Sequence, residues 1–125
     1  MKRVLLVGLV PETVDFSDPA LPPGLSAEKI HAGVAVAMEA MTARGWEAEN
    51  FMFRSETAAE ELQARLEGQA YDCIVVGAGV RLPPKNLHLL EKVIHAIRRG
   101  APETPIAFNT VPHDSADAAA RWLIV

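Results

Sequence analysis

The sequence predicts a small α/β domain built on a doubly wound parallel sheet. Apolar runs of strand length alternate with amphipathic helical segments along the whole chain. The runs at residues 3–9 and 71–77 are apolar almost throughout, which is typical of strands covered on both faces. Helical segments separate successive strands, so we expect the strands to run parallel with right-handed crossovers.

Length and composition fit a single domain over residues 1–125. The chain is half apolar and has a net charge of -4, as expected for a folded domain with a sizeable core. Its mild acidity gives no electrostatic reason to expect nucleic acid or an anionic membrane as partner. The single cysteine, Cys73, cannot form an internal disulfide, and no apolar run approaches the roughly 20 residues that span a bilayer. We therefore expect a cytoplasmic protein.

The elements follow one another in a regular order, interrupted once by a Pro-rich segment at residues 10–25. Strands are predicted at 3–9, 46–53, 71–77 and 104–110, and helices at 27–45, 57–68, 84–100 and 115–123. The strand at 46–53 alternates only partly between apolar and polar residues, which favours a position at the edge of the sheet.

Local signals predict several helix ends. Ser26 is a good N-cap for the first helix and Gly45 a good stop. Thr57 with Glu60 predicts a capping box at the start of the second helix, which we expect to end at Gly68. Apolar residues at helical spacing are expected to face the sheet. They are Ile30, Val34, Met38 and Met41 in the first helix, Leu62 and Leu66 in the second, and Leu87, Leu90, Ile94 and Ile97 in the third.

Two stretches resemble the response-regulator receiver domains, which have the flavodoxin-like fold. They are "MKRVLLVGLVPETV" and "YDCIVVGAGVRLPPKNLHLLEKVIHAIRRGAPETPIAFNT", and Thr110 falls where receivers keep a switch Ser or Thr. The resemblance implies a flavodoxin-like sheet of four strands in the order 2-1-3-4, with helices on both faces. In that fold the first and third strands lie side by side at the topological switch point, where ligands bind.

The residues that carry receiver chemistry are missing. Gly8 and Leu9 stand where the family has the acidic pair that holds Mg²⁺, and Gly79 stands where it has the phospho-acceptor aspartate. The sequence also has no fifth strand to carry the family's lysine. Transfer of a phosphoryl group to aspartate needs the carboxylate and a bound cation. The resemblance therefore implies the fold without aspartyl phosphorylation.

The glycines after the third strand, Gly77 and Gly79, are the first candidates for a binding site. They do not form G-x-G-x-x-G, because Leu82 stands at the third glycine position, and we do not expect a helix to begin at once. Two interpretations are open. The glycines serve a turn with positive φ or the close passage of a neighbouring loop, or their amides approach a ligand anion with Arg81 or Lys85 adding charge.

The Pro-rich segment is longer than the connections of about 2 to 6 residues that α/β domains usually have. Its four prolines favour a defined path. Asp15 and Asp18 bracket Phe16, so two carboxylates and an aromatic ring could overhang the sheet edge. The alternative is a structural flap whose aspartates form Asx turns, and the two roles are compatible.

Further candidates follow the fourth strand at the same edge of the sheet. Asn109 and Thr110 could hydrogen-bond a ligand, and His113 could act as a base near neutral pH. The alternative is that Asp114 or Ser115 caps the last helix and that His113 is solvated. The other histidines lie within helices at spacings that predict no metal site, and Cys73 is expected to be a small buried hydrophobic residue.

The function that we favour is a non-catalytic small-molecule-binding or regulatory module, with its site between residues 10–25, 77–85 and 109–114. The alternative is a small enzyme acting on an anionic metabolite, held by Arg81 and Lys85 while His113 or Asp15 moves a proton. No cofactor and no metal are predicted. The candidate ligand-binding residues are Asp15, Asp18, Gly77, Gly79, Arg81, Lys85, Asn109, Thr110 and His113.

The end of the sequence predicts association. A fourth strand at the sheet edge is open unless the apolar residues 122–125 or a partner cover it. We expect a homodimer, and a purely structural homo-oligomer is a third interpretation of the whole chain.

Overall fold

A computed structural model of the chain describes residues 1–123. Its sheet has four parallel strands in the order β2-β1-β3-β4, and helices cover both faces, so the predicted flavodoxin-like α/β fold is confirmed. The strands are β1 (Arg3–Leu9), β2 (Glu47–Phe53), β3 (Cys73–Val76) and β4 (Ile106–Phe108). The helices are α1 (Ala27–Ala43), α2 (Ala58–Gly68), α3 (Ala78–Arg81), α4 (Leu87–Gly100) and α5 (Ser115–Ala120), with 3₁₀ turns at Pro11–Thr13, Pro84–Asn86 and Pro112–Asp114.

Alternation along the strands divides the core into two layers. Leu5 and Val7 of β1 pack in one layer with α2 and α4, whereas Val4 and Leu6 pack in the other with α1 and α5. All four side chains are buried. Because β1 and β3 are covered on both faces, their apolar runs are continuous, as predicted for central strands.

The β2 edge carries charge. Glu49 accepts hydrogen bonds from Arg3 Nη1 at 3.0 Å, from Arg65 Nη1 at 2.8 Å and from the Tyr71 hydroxyl at 2.9 Å. The guanidinium of Arg65 also lies over the ring of Phe51, 4.9 Å from its centroid. Charged side chains along an edge strand discourage pairing with another chain. The prediction that residues 46–53 form an edge is confirmed.

The two predicted N-caps have different outcomes. Ser26 caps α1 as expected, since its hydroxyl accepts a hydrogen bond from the Lys29 amide at 3.2 Å. The prediction that Thr57 and Glu60 form a capping box is wrong. Thr57 does occupy the N-cap position of α2, but its ψ of 9° is far from the extended values typical of a capping residue. Its hydroxyl instead donates to the carboxylate of Glu61 at 2.8 Å.

The prediction of which residues face inward on the third helix is partly wrong. Leu87 is 63 % exposed, while the fully buried side of α4 carries Leu89, Val93, Ala96 and Ile97. Residues 84–86 form a 3₁₀ turn, so α4 begins only at Leu87 and its first residue faces away from the sheet. Of the expected set only Ile97 is fully buried; Leu90 and Ile94 are half-buried.

Several elements differ in extent from the prediction. β4 begins after Pro105, which has no N–H to donate to a neighbouring strand, and α5 ends at Ala120. A short helix that was not expected, α3, follows β3 directly. Within residues 1–123, none of the helices combines the length and the apolar character that crossing a bilayer requires.

Close contact between α2 and α4 predicts a specific sensitivity at Gly100. A Cβ atom added there would lie 2.7 Å from the Cβ of Leu66, a separation that forces the helices apart. We expect Gly100→Ala to lower the free energy of unfolding by about 1–3 kcal/mol, as overpacking of a core does. Urea denaturation measures the change.

The matched control is Gly68→Ala at the end of α2, where an added Cβ meets no atom within 4 Å. Removing a glycine from that helical position should leave the free energy of unfolding unchanged or raise it by up to about 1 kcal/mol. Equal stabilities of the two variants would contradict the close packing of α2 on α4.

Candidate functional site

The carboxyl ends of the strands open onto a cavity on the α1 side of the sheet, here called the main cavity. Leu6 and Gly8 of β1, with Asn50 and Met52 of β2, line its sheet side, and the parallel register places Leu6 beside Asn50 and Gly8 beside Met52. The cavity holds about 700 Å³ of space that no protein atom occupies, part of it open to solvent. It lies at the edge of the sheet where the switch point of this fold was expected.

The Pro-rich segment and α1 form the other walls of the main cavity. Ile30 and Val34 line it from α1. The segment contributes Val14, Leu21, Pro22 and Leu25. Leu21 is buried, so the segment is anchored against the domain. The segment thus covers this edge of the sheet as a flap, and its apolar residues form one wall of the cavity.

Glycine at position 8 leaves space on the sheet side of the main cavity. A Cβ atom added at Gly8 would meet no heavy atom within 4 Å, and the same holds at Gly79. Neither residue has a positive φ, since the positive-φ glycines of the described chain are Gly24 and Gly45. The backbone therefore does not require glycine at these two positions, and the missing side chains leave open volume.

Gly77 is explained by close passage of the chain. Its φ is -68°, so the expectation of a turn with positive φ is wrong. Its amide donates to the carbonyl oxygen of Val7 at 2.8 Å, and an added Cβ would lie 3.1 Å from that same oxygen. The expectation that no helix begins here is also wrong, because α3 starts at Ala78. That helix is a single turn, and its first amide already donates to Asn109 Oδ1 at 2.8 Å.

Asn109 is a buried link between elements. It is 2 % exposed; its Oδ1 accepts from the Ala78 amide, and its Nδ2 donates to Ser115 Oγ at 3.0 Å. The Ser115 hydroxyl in turn donates to the carbonyl of Pro112. Asn109 lines the main cavity, but its carboxamide is bonded within the protein on both sides and joins the end of β4 to α3 and α5.

Thr110 and His113 lie on the turn that follows β4. Thr110 lines the main cavity, and both its amide and its hydroxyl donate to the carboxylate of Asp114. Asp114 occupies the N-cap position of α5 but makes no capping bond to that helix. Its carboxylate points back and accepts from the amides of Thr110 and Val111 before the 3₁₀ turn. His113 is exposed and does not line the cavity, which agrees with the interpretation of a solvated histidine.

The predicted cations are engaged by other parts of the protein. Arg81 Nη2 donates to the carbonyl of Asn109 at 2.9 Å, and its guanidinium carbon lies 5.9 Å from the centroid of the Phe108 ring. Within residues 1–123, Arg81 Nε is buried without a hydrogen-bond partner. Lys85 Nζ donates to Asp15 in an exposed ion pair. Neither cation lines the main cavity.

Asp15 and Asp18 close turns in the Pro-rich segment, as the flap interpretation predicted. Asp15 Oδ1 accepts from the amide of Ser17 at 3.0 Å, and Asp18 Oδ1 accepts from the amide of Ala20 at 2.9 Å. The hydrogen bond from Lys85, followed by those from Ser17, lowers the pKa of Asp15 to about 2. Asp15 and Lys85 line a second cavity, together with Thr13, Ser55 and Asn86 among others.

The structure thus separates the predicted site residues into three sets. Gly77, Gly79, Asn109 and Thr110 line the main cavity. Asp15 and Lys85 line the second cavity, and Asp18, Arg81 and His113 line neither. Nothing charged lines the main cavity in the described part of the chain.

Asn50 and Met52 are cavity residues that sequence reasoning missed. The signal for them is present in "WEAENFMF", where Ala48, Asn50 and Met52 alternate with Glu49 and Phe51 and so share one face of β2. Their position opposite Leu6 and Gly8 depends on the register of β2 with β1.

Comparison with protein-family models, with curated proteins and with solved structures gives no match for this chain. The resemblance to receiver domains therefore stays a prediction from the residues quoted above. Among residues 1–123, no three His, Cys, Asp or Glu side chains are placed to hold a metal ion together. Cys73 is buried in β3 as expected, and burial raises the pKa of its thiol to about 11.

The ion pair between Asp15 and Lys85 predicts that the pKa of Asp15 depends on Lys85. We expect Lys85→Met to raise the pKa of Asp15 from about 2 toward its usual range, because the largest cause of the lowered value is the hydrogen bond from Lys85. NMR detection of the Asp15 carboxyl carbon as pH falls measures the midpoint.

Because the folded-state pKa of Asp15 is lowered, the stabilisation it reports is present above the unfolded pKa and is lost as pH falls through about 2. Lys92→Met removes another exposed lysine, on α4, and should leave the Asp15 midpoint unchanged. An unchanged midpoint in Lys85→Met would show that the two loops are not joined by this contact in solution.

Proposed function

We propose that this protein is a non-catalytic small-molecule-binding module whose ligand lies in the main cavity. The observation that carries the proposal is a cavity at the carboxyl end of the sheet, walled by the strands, α1, the Pro-rich segment and the loops after β3 and β4 and lined mainly by apolar side chains. Concave, mostly apolar sites with a few polar groups are typical of small-molecule pockets. Binding needs no more than this arrangement.

The lining of the main cavity favours a predominantly apolar ligand over the anionic one expected from the sequence. An anion would need a cation or several available amides near the cavity. Arg81 and Lys85 are engaged with Asn109 and Asp15, outside the lining. The Ala78 amide is occupied by Asn109. Apolar side chains dominate the walls, and burial of apolar ligand surface would supply the binding energy.

The enzyme alternative has less support at this cavity. Proton transfer needs a titratable side chain within hydrogen-bond reach of the substrate. Asp15 pairs with Lys85 at the second cavity, and His113 is exposed on the turn after β4. Neither lines the main cavity. We therefore propose binding or regulation rather than turnover, on a receiver-like fold without phosphoryl transfer and in the cytoplasm.

Filling the space above Gly8 tests the proposal. We expect Gly8→Leu to fold, because a Cβ atom at this position meets no heavy atom within 4 Å and the φ of Gly8 is not positive. The leucine side chain should occupy the cavity and exclude ligand. Thermal-shift screening with neutral aromatic and aliphatic fragments should therefore find compounds that stabilise the natural chain and not Gly8→Leu.

Gly68→Leu is the matched control, since that glycine is also open but lies at the end of α2, outside the cavity lining. It should keep the response to every fragment. If no fragment stabilises the natural chain, or if Gly8→Leu responds equally well, the main cavity is not a ligand site.

The homodimer is a separate proposal. β4 is a three-residue edge strand, and Phe108 on it and Trp122 after α5 are 37 % and 52 % exposed. Arg121 Nη2 donates to the Phe108 carbonyl at 3.1 Å, so the residues after α5 lie beside this edge. Apolar residues at an open edge favour association. Residues 124–125, which belong to the same prediction, lie outside the described part of the chain.

Light scattering over a concentration series tests the dimer. We expect the natural chain to have the mass of two copies and Trp122→Ser to shift the equilibrium toward one copy, because the change removes exposed aromatic surface. Phe16→Ser is a suitable control, since Phe16 is also an exposed aromatic residue but lies on the Pro-rich segment. A natural chain with the mass of one copy at all concentrations would refute the dimer.

A further inference from the structure

The polar side chains that line the main cavity are not equivalent. Within the described residues they are those of Asn50, Asn109 and Thr110. Asn109 is bonded to the Ala78 amide and to Ser115, and the Thr110 hydroxyl donates to Asp114. These two side chains serve the protein's own loops and cannot pair with a ligand without giving up a contact.

Asn50 is the exception. It lies on β2 between Ala48 and Met52, on the face of the strand that looks toward α1, with Leu6 as its register partner on β1. Among residues 1–123, the hydrogen bonds and ion pairs of β2 side chains involve Glu47 and Glu49, which belong to the opposite face. The carboxamide of Asn50 has no such partner.

The Asn50 side chain is half-buried, so its carboxamide is hydrated in the free protein, and packing alone does not call for an asparagine here. Asparagine is disfavoured in strands, and the other residues of this face, Ala48 and Met52, are apolar. An apolar side chain of similar size, such as leucine, would complete the wall without an amide that needs water or another partner. A carboxamide in an apolar wall is the usual way in which a pocket orients a ligand.

The chemistry of that carboxamide restricts the ligand. It offers one acceptor oxygen and two N–H donors, so a ligand that displaces its water must offer both a donor and an acceptor. A carboxylate or an ammonium group would be buried without a countercharge, which is strongly unfavourable. A ligand with no polar group would leave the Asn50 amide desolvated and unbonded.

Resting on the proposed function, we infer that the main cavity takes a neutral ligand with an apolar body and one amide-like group, such as a primary amide or a lactam, which pairs with the carboxamide of Asn50. The apolar body lies against Ile30, Val34 and Leu21. Asn50 is thus the residue that determines specificity, and the surrounding apolar side chains supply affinity.

Three probes that share one ring test the inference: benzamide, toluene and benzoate. Their dissociation constants are measured by NMR titration against the natural chain and Asn50→Leu. On going to Asn50→Leu, benzamide should weaken relative to toluene by about three- to tenfold, the effect of one neutral hydrogen bond. Benzoate should bind the natural chain at least about tenfold more weakly than benzamide, because its charge has no partner in the cavity.

The side-chain NH₂ signals of Asn50 give a second measurement that needs no variant. They should shift when benzamide is added to the natural chain and shift much less with toluene. Asn50→Gln keeps the carboxamide on a longer stem and should retain part of the preference for benzamide. Asn50→Asp keeps acceptor oxygens for the benzamide N–H and should weaken benzamide less than toluene.

The outcomes separate the inference from the function on which it rests. Suppose that benzamide and toluene both bind, that Asn50→Leu leaves the ratio of their dissociation constants unchanged, and that benzamide does not shift the Asn50 NH₂ signals of the natural chain. The inferred ligand class is then wrong, while the cavity remains a binding site. The proposed function and the inference fail together under two conditions. No probe binds the natural chain, and in the thermal-shift screen Gly8→Leu responds to the fragments in the same way as the natural chain.

Discussion

The parallel pairing of β1 with β2 on one side and with β3 on the other is the constraint on which the rest of the structure depends. It aligns the carboxyl ends of the strands at one edge of the sheet. Side-chain alternation then sends Leu5 and Val7 to one layer of the core and Leu6 and Gly8 to the other. The main cavity forms where this second row ends in a glycine in place of a large side chain, and the Pro-rich segment covers it through the buried Leu21.

The charged groups at this edge of the sheet hold loops together, and the cavity beside them is neutral for that reason. Lys85 joins the 3₁₀ turn before α4 to Asp15, Arg81 donates to the carbonyl of Asn109, and Asp114 accepts from Thr110. A ligand that bound through these groups would have to displace a contact already made within the protein. The proposed recognition through the neutral wall, with Asn50 as its available polar group, would require no such exchange.

The fold could be predicted in full outline because its signals are local. Continuous apolar runs marked the central strands, helical crossovers implied that the strands run parallel, and the resemblance to receiver domains implied their order. Two wrong predictions, the inward face of α4 and the capping box of α2, both depend on how a helix begins. Pro84 starts a 3₁₀ turn, which changes the phase of α4 and turns Leu87 outward. Thr57 has a backbone conformation unlike that of a capping residue, so its hydroxyl bonds Glu61. Apolar periodicity alone predicts neither the 3₁₀ turn at Pro84 nor the backbone conformation of Thr57.

By itself the sequence determined the α/β fold class and the parallel direction of the strands, because apolar periodicity and crossover rules act over short stretches of chain. The strand order, and the edge of the sheet at which a site is expected, were implied by the resemblance to receiver domains. Only the tertiary structure decided which residues at that edge are available. Asp15 and Lys85 are 70 residues apart in the chain, and only folding reveals that they pair with each other. The open space above Gly8 likewise exists only once β2, α1 and the Pro-rich segment surround it, since the volume of a cavity depends on the distances between separate elements.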